Sequence, residues 1–352
     1  MTRLPDAACL RRAARFAAIS SGLEAAALTP SWLRPRSAAG RGLIFTLHHV
    51  RPAELHPFRP NALLSVTPQF LDAAIAVTLA CGLRPVRLED LPERLADPDD
   101  KNSYVAFTLD DGYRDNAEHA APIFRKHKAP YTIFLTSGFV ERRHAPWWET
   151  AERLIREHDR FSFDFGDGPV QVEAETVWQK MSLFDRFADF VGTADEDIAV
   201  GRINAAAGRH GIDVLDLVDS LVISEAEIKA LAATDELVSF GAHTVSHPNL
   251  KRVDDGRLGD EIGRSVEAVT RYIGRAPKAF AYPYGWVRAV GEREMRAVAS
   301  AGFSIGVTTQ PGMLHPAMPV HAMKRVSLNG CYQKERYVRA LVSGIPFRFL
   351  GS

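Results

Sequence analysis

From residue 42 onward, short runs rich in β-branched and aromatic residues alternate with stretches of helical periodicity. The strand candidates are GLIFTLH (42–48), LRPVRL (83–88), YVAFTLD (104–110), YTIFLT (131–136), LVSFGAH (237–243), AFAYP (279–283), FSIGVTT (303–309) and KRVSL (324–328). Several are apolar without interruption, the pattern of strands buried on both faces. Helix signals lie between them. Thr67 opens TPQFLDAAIAVTLACG, which Gly82 ends; Ser224 with Glu227 makes a capping-box pattern; and 257–273 is an amphipathic stretch stopped by Gly274. Eight strand candidates with intervening helices predict a parallel α/β fold, and the count favours a (β/α) barrel over an open sheet.

The rhythm breaks once, at 140–222, where Trp147, Trp148, Trp178, Phe184, Phe187 and Phe190 stand among many charges. This segment reads as a mostly helical insertion in a barrel spanning 41–345, preceded by an N-terminal helical segment over 1–40. In that first segment Arg11, Arg12 and Arg15 lie beside Leu10, Phe16 and Ile19. Such a helix either packs on the barrel or makes peripheral contact with a membrane surface. Ser20, Ser21, Gly22 and Glu24 interrupt its apolar stretch, so no signal peptide is expected, and no 18-residue apolar run predicts a transmembrane helix. The expected location is cytoplasmic.

Composition changes this picture little. Forty-three basic residues balance 43 acidic ones, so nucleic acid is not an expected partner. The three cysteines, Cys9, Cys81 and Cys331, are few and far apart, which argues against a disulfide framework or a cysteine zinc site.

Barrel enzymes place their chemistry at the C-terminal ends of strands, and three segments pass that filter. FTLDDGY (107–113) delivers two carboxylates, Asp110 and Asp111, from a buried strand into a glycine turn. Near a cation, one can ligate while the other acts as a base. The sequence holds its own control: Asp254-Asp255-Gly256 repeats the DDG without a strand before it and reads as a turn. GAHTVSHP (241–248) puts His243 and His247 four apart after a strand. With 12 histidines, about 0.4 such pairs arise by chance, so placement matters more than spacing. Two imidazoles with Asp111 make a three-ligand set with open positions, suited to a catalytic metal. Iron oxygenases use the same donors; the second carboxylate and the α/β rhythm favour hydrolysis. FAYPYGW (280–286) is a turn after a strand that can fix a backbone N–H as an oxyanion donor.

In order and spacing these segments resemble the polysaccharide deacetylase family, carbohydrate esterase family four, which includes nodulation-type chitooligosaccharide deacetylases. The resemblance runs from about Ile44 to Leu328 and implies a distorted (β/α) barrel, often of seven strands. It implies that Asp110 is the base, that Asp111, His243 and His247 hold zinc or another divalent transition metal, and that the Tyr284 N–H binds the oxyanion. Two departures stand out. Ala281 occupies the place of an arginine that supports the base in the family, and Arg325 is the candidate replacement. No late Leu-x-His-Asp segment supplies a general acid. Thr46-Leu47-His48-His49 resembles the Tyr-His turn of a bacterial subgroup, which makes His48 the candidate acid, with His49 and His321 as rivals.

The expected activity is therefore metal-dependent removal of N-acetyl groups from an amino-sugar glycan. An O-acetyl glycan esterase and a catalytically weak glycan-binding barrel are the alternatives. No Gly-x-Ser-x-Gly elbow supports a serine esterase. Trp148 and Trp286 are candidates for stacking on sugar rings or for the core.

Overall fold

The structure, a computed structural model, describes residues 7–30 and 36–348. Parts of the expected N-terminal segment, residues 1–6 and 31–35, lie outside the described residues. Eight strands form the main sheet: β1 (Gly42–Leu47), β2 (Arg84–Pro85), β3 (Tyr104–Leu109), β4 (Tyr131–Leu135), β5 (Val238–Ala242), β6 (Ala279–Ala281), β7 (Ile305–Val307) and β8 (Val326–Ser327). Their order is β7-β6-β5-β4-β3-β1-β8, and the pairs are parallel. The two ends of the sheet approach each other at a bridge between Val307 and Met323, which leaves a curled half-barrel of seven strands.

The 83–88 run does not become a full eighth strand. β2 pairs with Tyr104 and Val105 of β3, and from Phe107 onward β4 occupies that edge. Pro85 also lacks the N–H that would extend the ladder.

Side-chain alternation sorts the apolar residues into two layers. Leu43, Phe45 and Leu47 of β1, Val105, Phe107 and Leu109 of β3, and Ile133 and Leu135 of β4 join the large core under the surrounding helices. Ile44, Ala106, Phe134, Ala279, Ala281, Ile305 and Val307 join a smaller core inside the curl. By that period Thr46, Thr108 and Asp110 belong to the inner face, and each is buried.

The anticipated caps form. Thr67 accepts from the Phe70 N–H at the start of the helix Pro68–Ala80. Ser224 and Glu227 make a reciprocal capping box on Glu225–Thr234. The helix Asp255–Ile273 ends at Gly274, whose φ of 73° is the left-handed conformation that glycine adopts without penalty. The second DDG is not a turn: Asp254 caps this helix by accepting from the Arg257 N–H.

The 140–222 segment contains the helices α1 (Trp147–Glu157), α2 (Val177–Thr193), α3 (Glu196–Arg209) and α4 (Val214–Leu221). It also contains an antiparallel hairpin, Arg160–Asp164 with Pro169–Glu173, which the helical reading overlooked. Its signal was present in the alternation of FSFDF. The turn follows from Asp164, whose carboxylate accepts from the Gly166 and Gly168 N–H groups.

The N-terminal helix Ala7–Leu28 packs against the C-terminal helix Glu335–Val342, with Leu23 and Ala26 buried. Arg12 pairs with Asp185 of α2 at 2.6 Å and donates to the Pro60 carbonyl. No described helix is long and apolar enough to cross a membrane.

Candidate active site

The end of β3 carries the two carboxylates. Asp110 continues the inner face, whereas Asp111 takes a φ of 70° and Gly112 one of 72°. This ends the strand and frees Asp111 from strict alternation. Glycine suits position 112 because of this left-handed conformation, and a Cβ there would also press on the end of the Leu135 side chain, 2.9 Å from Cδ2.

Asp111, His243 and His247 are buried together, each offering one ligand atom within 4.8 Å of the others. The Nε2 atoms of His243 and His247 lie 3.5 and 3.6 Å from Asp111 Oδ1. His243 Nδ1 donates to the Ala281 carbonyl at 2.7 Å, which assigns the proton to Nδ1 and leaves the Nε2 lone pair facing Asp111. Asp111 Oδ1 has no hydrogen-bond partner among the described residues. Burial and the neighbouring Asp110 charge push the Asp111 carboxyl well above the usual carboxylate range. Burial holds both imidazoles below the ordinary histidine range. Two neutral imidazoles around an unsatisfied buried carboxylate fit a divalent cation, which would supply the missing charge.

The histidine loop is held from outside. Thr244 and His247 adopt positive φ, and the Thr244 hydroxyl accepts from the His247 N–H at 3.0 Å. Glu261, buried on the helix Asp255–Ile273, accepts from the N–H groups of Val245 and Ser246 and from the Ser246 hydroxyl. The His247 ring sits among Trp148, Tyr284 and Phe139.

Arg325 lies just before β8, fully buried, and crosses the inside of the curl to Asp110. Its Nη1 and Nη2 donate to the two Asp110 oxygens at 2.7 Å each, while Nε donates to the Thr308 carbonyl and Nη1 also to the Thr108 hydroxyl. Burial disfavours the Asp110 charge, but the Arg325 guanidinium, by its charge and its hydrogen bonds, outweighs it and holds the carboxyl well below its usual range. Asp110 is therefore an ionised acceptor at neutral pH.

The three histidines considered as proton donors separate clearly. His48 is half-buried at the end of β1, and burial, partly offset by Asp110, lowers its pKa to about 4. His49 is buried; its Nδ1 meets Asp115 Oδ2 at 2.6 Å, its Nε2 lies 3.5 Å from Glu149, and its ring packs on Tyr113. Burial lowers the His49 pKa, but the two carboxylates reverse this and raise it. His321 Nε2 bonds the Phe303 carbonyl, ahead of β7 and away from the strand ends that carry the carboxylates. Asp115, Glu149 and Glu261 were not singled out from the sequence. Glu149 could not be, because it reaches His49 across 100 residues from the insertion.

His48 permits a test by pH. The unfolded imidazole titrates near 6.5 and the folded one near 4, so between these values the unfolded chain binds a proton that the folded chain refuses. This penalty is absent above pH 6.5 and grows as pH falls toward 4. His48→Gln abolishes it, so the variant should gain stability relative to the wild type between pH 7.5 and pH 5, read from urea midpoints of the metal-free proteins. A pH-independent difference would contradict the neutral resting imidazole.

Tyr284 stands at the turn after β6 with φ 61°. Its hydroxyl donates to Glu196 at 2.6 Å and accepts from Trp147 Nε1 at 3.2 Å. Trp286 stacks on its ring at 5.2 Å and is 52% exposed, whereas Trp148 is buried and donates to the Tyr113 hydroxyl. Of the two tryptophans, Trp286 is the one open to a ligand.

The polysaccharide deacetylase family model matches residues 97–163 and 207–306. Asp110, Asp111, His243, His247 and Tyr284 fall within these blocks; His48 and Arg325 fall outside them. No curated protein sequence matches the chain. Among solved structures, the chain is similar to the deacetylase PplD of Streptococcus pyogenes, determined in complex with acetate. They share 18% identity and a TM-score of 0.53 over 82% of this chain and 92% of that one. IcaB from Ammonifex degensii shares 16% identity and a TM-score of 0.52 over 84% and 96%. A polysaccharide deacetylase from Bacillus cereus shares 16% and 0.52 over 85% and 68%. At these identities the likeness is one of fold.

Proposed function

Since the chain belongs to the polysaccharide deacetylase family, we propose that it hydrolyses N-acetyl groups on an amino-sugar glycan, using a divalent metal, zinc by first choice. One observation carries this reading: three buried metal donors meet beside a second carboxylate that a buried arginine keeps ionised.

Asp111, His243 and His247 would hold the metal, which supplies Lewis acidity toward water and the acetamide carbonyl. Asp110 takes the proton from the attacking water, and Arg325 keeps its carboxylate free of a proton beforehand. The water oxygen bonds to the carbonyl carbon, and the Tyr284 N–H donates to the resulting oxyanion. The C–N bond then breaks, acetate leaves, and the amine nitrogen takes a proton from His48. Because the His48 imidazole is neutral at rest, it must acquire that proton within the cycle, and Asp110 is the nearby group that has just gained one.

The test is acetate release from N-acetylglucosamine oligomers by the protein as prepared, after chelation, and after zinc is restored. Release abolished by the chelator and rescued by zinc is the expected result. Release indifferent to the chelator would remove the metal from the mechanism. An O-acetylated glycan run in parallel separates amide from ester preference, and faster ester cleavage would reassign the substrate.

A further inference from the structure

The turn after β6 is held in a shape that its sequence disfavours. Tyr284 takes a φ of 61° and Gly285 one of 66°, so two successive residues lie in the left-handed region. Glycine enters that region freely, but a tyrosine Cβ crowds the following carbonyl there. The conformation leaves the Tyr284 N–H without an acceptor among the described residues, while the Gly285 N–H turns back to the Pro283 carbonyl at 2.7 Å. Such a residue persists only where its surroundings hold it, and Tyr284 is held from two sides.

Its carbonyl side is anchored just beyond β7. The Thr309 hydroxyl donates to the Tyr284 carbonyl at 2.6 Å, and the Thr309 N–H donates to the Gly285 carbonyl at 3.0 Å. Its side chain is anchored by the insertion, where the phenol donates to Glu196 at 2.6 Å and accepts from Trp147 Nε1 at 3.2 Å. With carbonyl and phenol both fixed, the Cα–N bond keeps one direction.

Glu196 is itself fixed. It is the first residue of α3, which Asp195 caps by accepting from the Ile198 N–H at 3.0 Å. The next residue, Asp197, pairs with Arg257 of the helix Asp255–Ile273. The second Glu196 oxygen accepts from the Asn249 N–H at 2.8 Å, two residues beyond His247. Glu196 lies in 164–206, the stretch between the two blocks that the family model matches. The anchor on the phenol therefore comes from the chain's own insertion.

We infer that Glu196 is a positioning residue: through the Tyr284 phenol it holds the turn in its left-handed form and keeps the Tyr284 N–H aimed at the reacting carbonyl. What that N–H does rests on the deacetylase reading; how it is held does not.

Glu196→Ala and Tyr284→Phe, which keeps the N–H but removes the hydroxyl, break the same bond from its two ends. Each should lower kcat for acetate release by ~10–100-fold and move KM by less than ~3-fold, with zinc content unchanged. The double variant should match the slower single variant to within ~2-fold, because the second change removes a bond already broken. In crystal structures of the metal-free proteins, Tyr284 should leave the left-handed region in Glu196→Ala, or spread over several conformers, where the wild type keeps one. An unchanged kcat, losses that multiply in the double variant, or zinc lost from Glu196→Ala would each overturn the inference. If the wild type turns over no acetylated substrate, the structures decide. A turn released in Glu196→Ala then upholds the anchor and sinks the deacetylase reading, whereas an unmoved turn overturns the anchor.

Discussion

Asp110→Asn should reduce kcat by about 10²–10⁴-fold, the usual contribution of a positioned general base, while leaving bound zinc near one equivalent. The proposed metal donors are Asp111, His243 and His247, so the substitution removes none of them. Asparagine preserves the shape of the side chain and one acceptor for Arg325 but cannot take a proton. KM should change little, because the loss falls on the chemical step. Asp111→Asn is the informative contrast: it should lose metal and turnover together. Paired measurements of metal content and acetate release on the two variants decide the matter. If Asp110→Asn turned over at near wild-type rate, the base would have to be sought elsewhere. If it lost metal, Asp110 would belong to the ligand set.

The second large effect is expected at Arg325. Arg325→Met removes the only guanidinium that contacts Asp110 among the described residues and leaves a carboxylate buried without its counter-charge. Breaking a buried pair from one side typically costs about 3–5 kcal/mol, a large share of a domain's usual stability margin. A second consequence distinguishes an electrostatic role from a merely structural one. Without the guanidinium, burial pushes the Asp110 carboxyl upward, so the acidic limb of the pH–rate profile should move to higher pH. Arg325→Lys should restore this only in part, since an ammonium cannot match the two-oxygen fork. The double variant Asp110→Asn/Arg325→Met should be less destabilised than the sum of the single changes, because the unpaired charge disappears. Additive losses measured by denaturant unfolding, with an unmoved acidic limb, would mean that Arg325 only packs the interior of the curl.

Legibility from sequence followed range. DDG after a buried strand, and two histidines four apart after another, could be placed at strand ends because a strand and its turn lie within a dozen residues. Helix caps at Thr67, Ser224 and Gly274 were readable for the same reason. The hairpin at 160–173 is equally local, and its alternation is hidden only when the whole of 140–222 is read as one mostly helical insertion. His48 and His49 show the limit. They are neighbours in sequence, yet one faces the Asp110 side and the other is enclosed by Asp115 and Glu149.

What the sequence by itself determined was therefore the parallel α/β plan, the caps and the residue types at the strand ends, since these depend on backbone propensity and on neighbours a few positions away. Only the tertiary structure decided which of those residues meet. Arg325 and Asp110 are 215 positions apart, and Glu149 comes to His49 from the insertion. Such contacts depend on the order and curl of the strands, through which the whole sheet, and no local stretch of chain, sets the distance between two side chains.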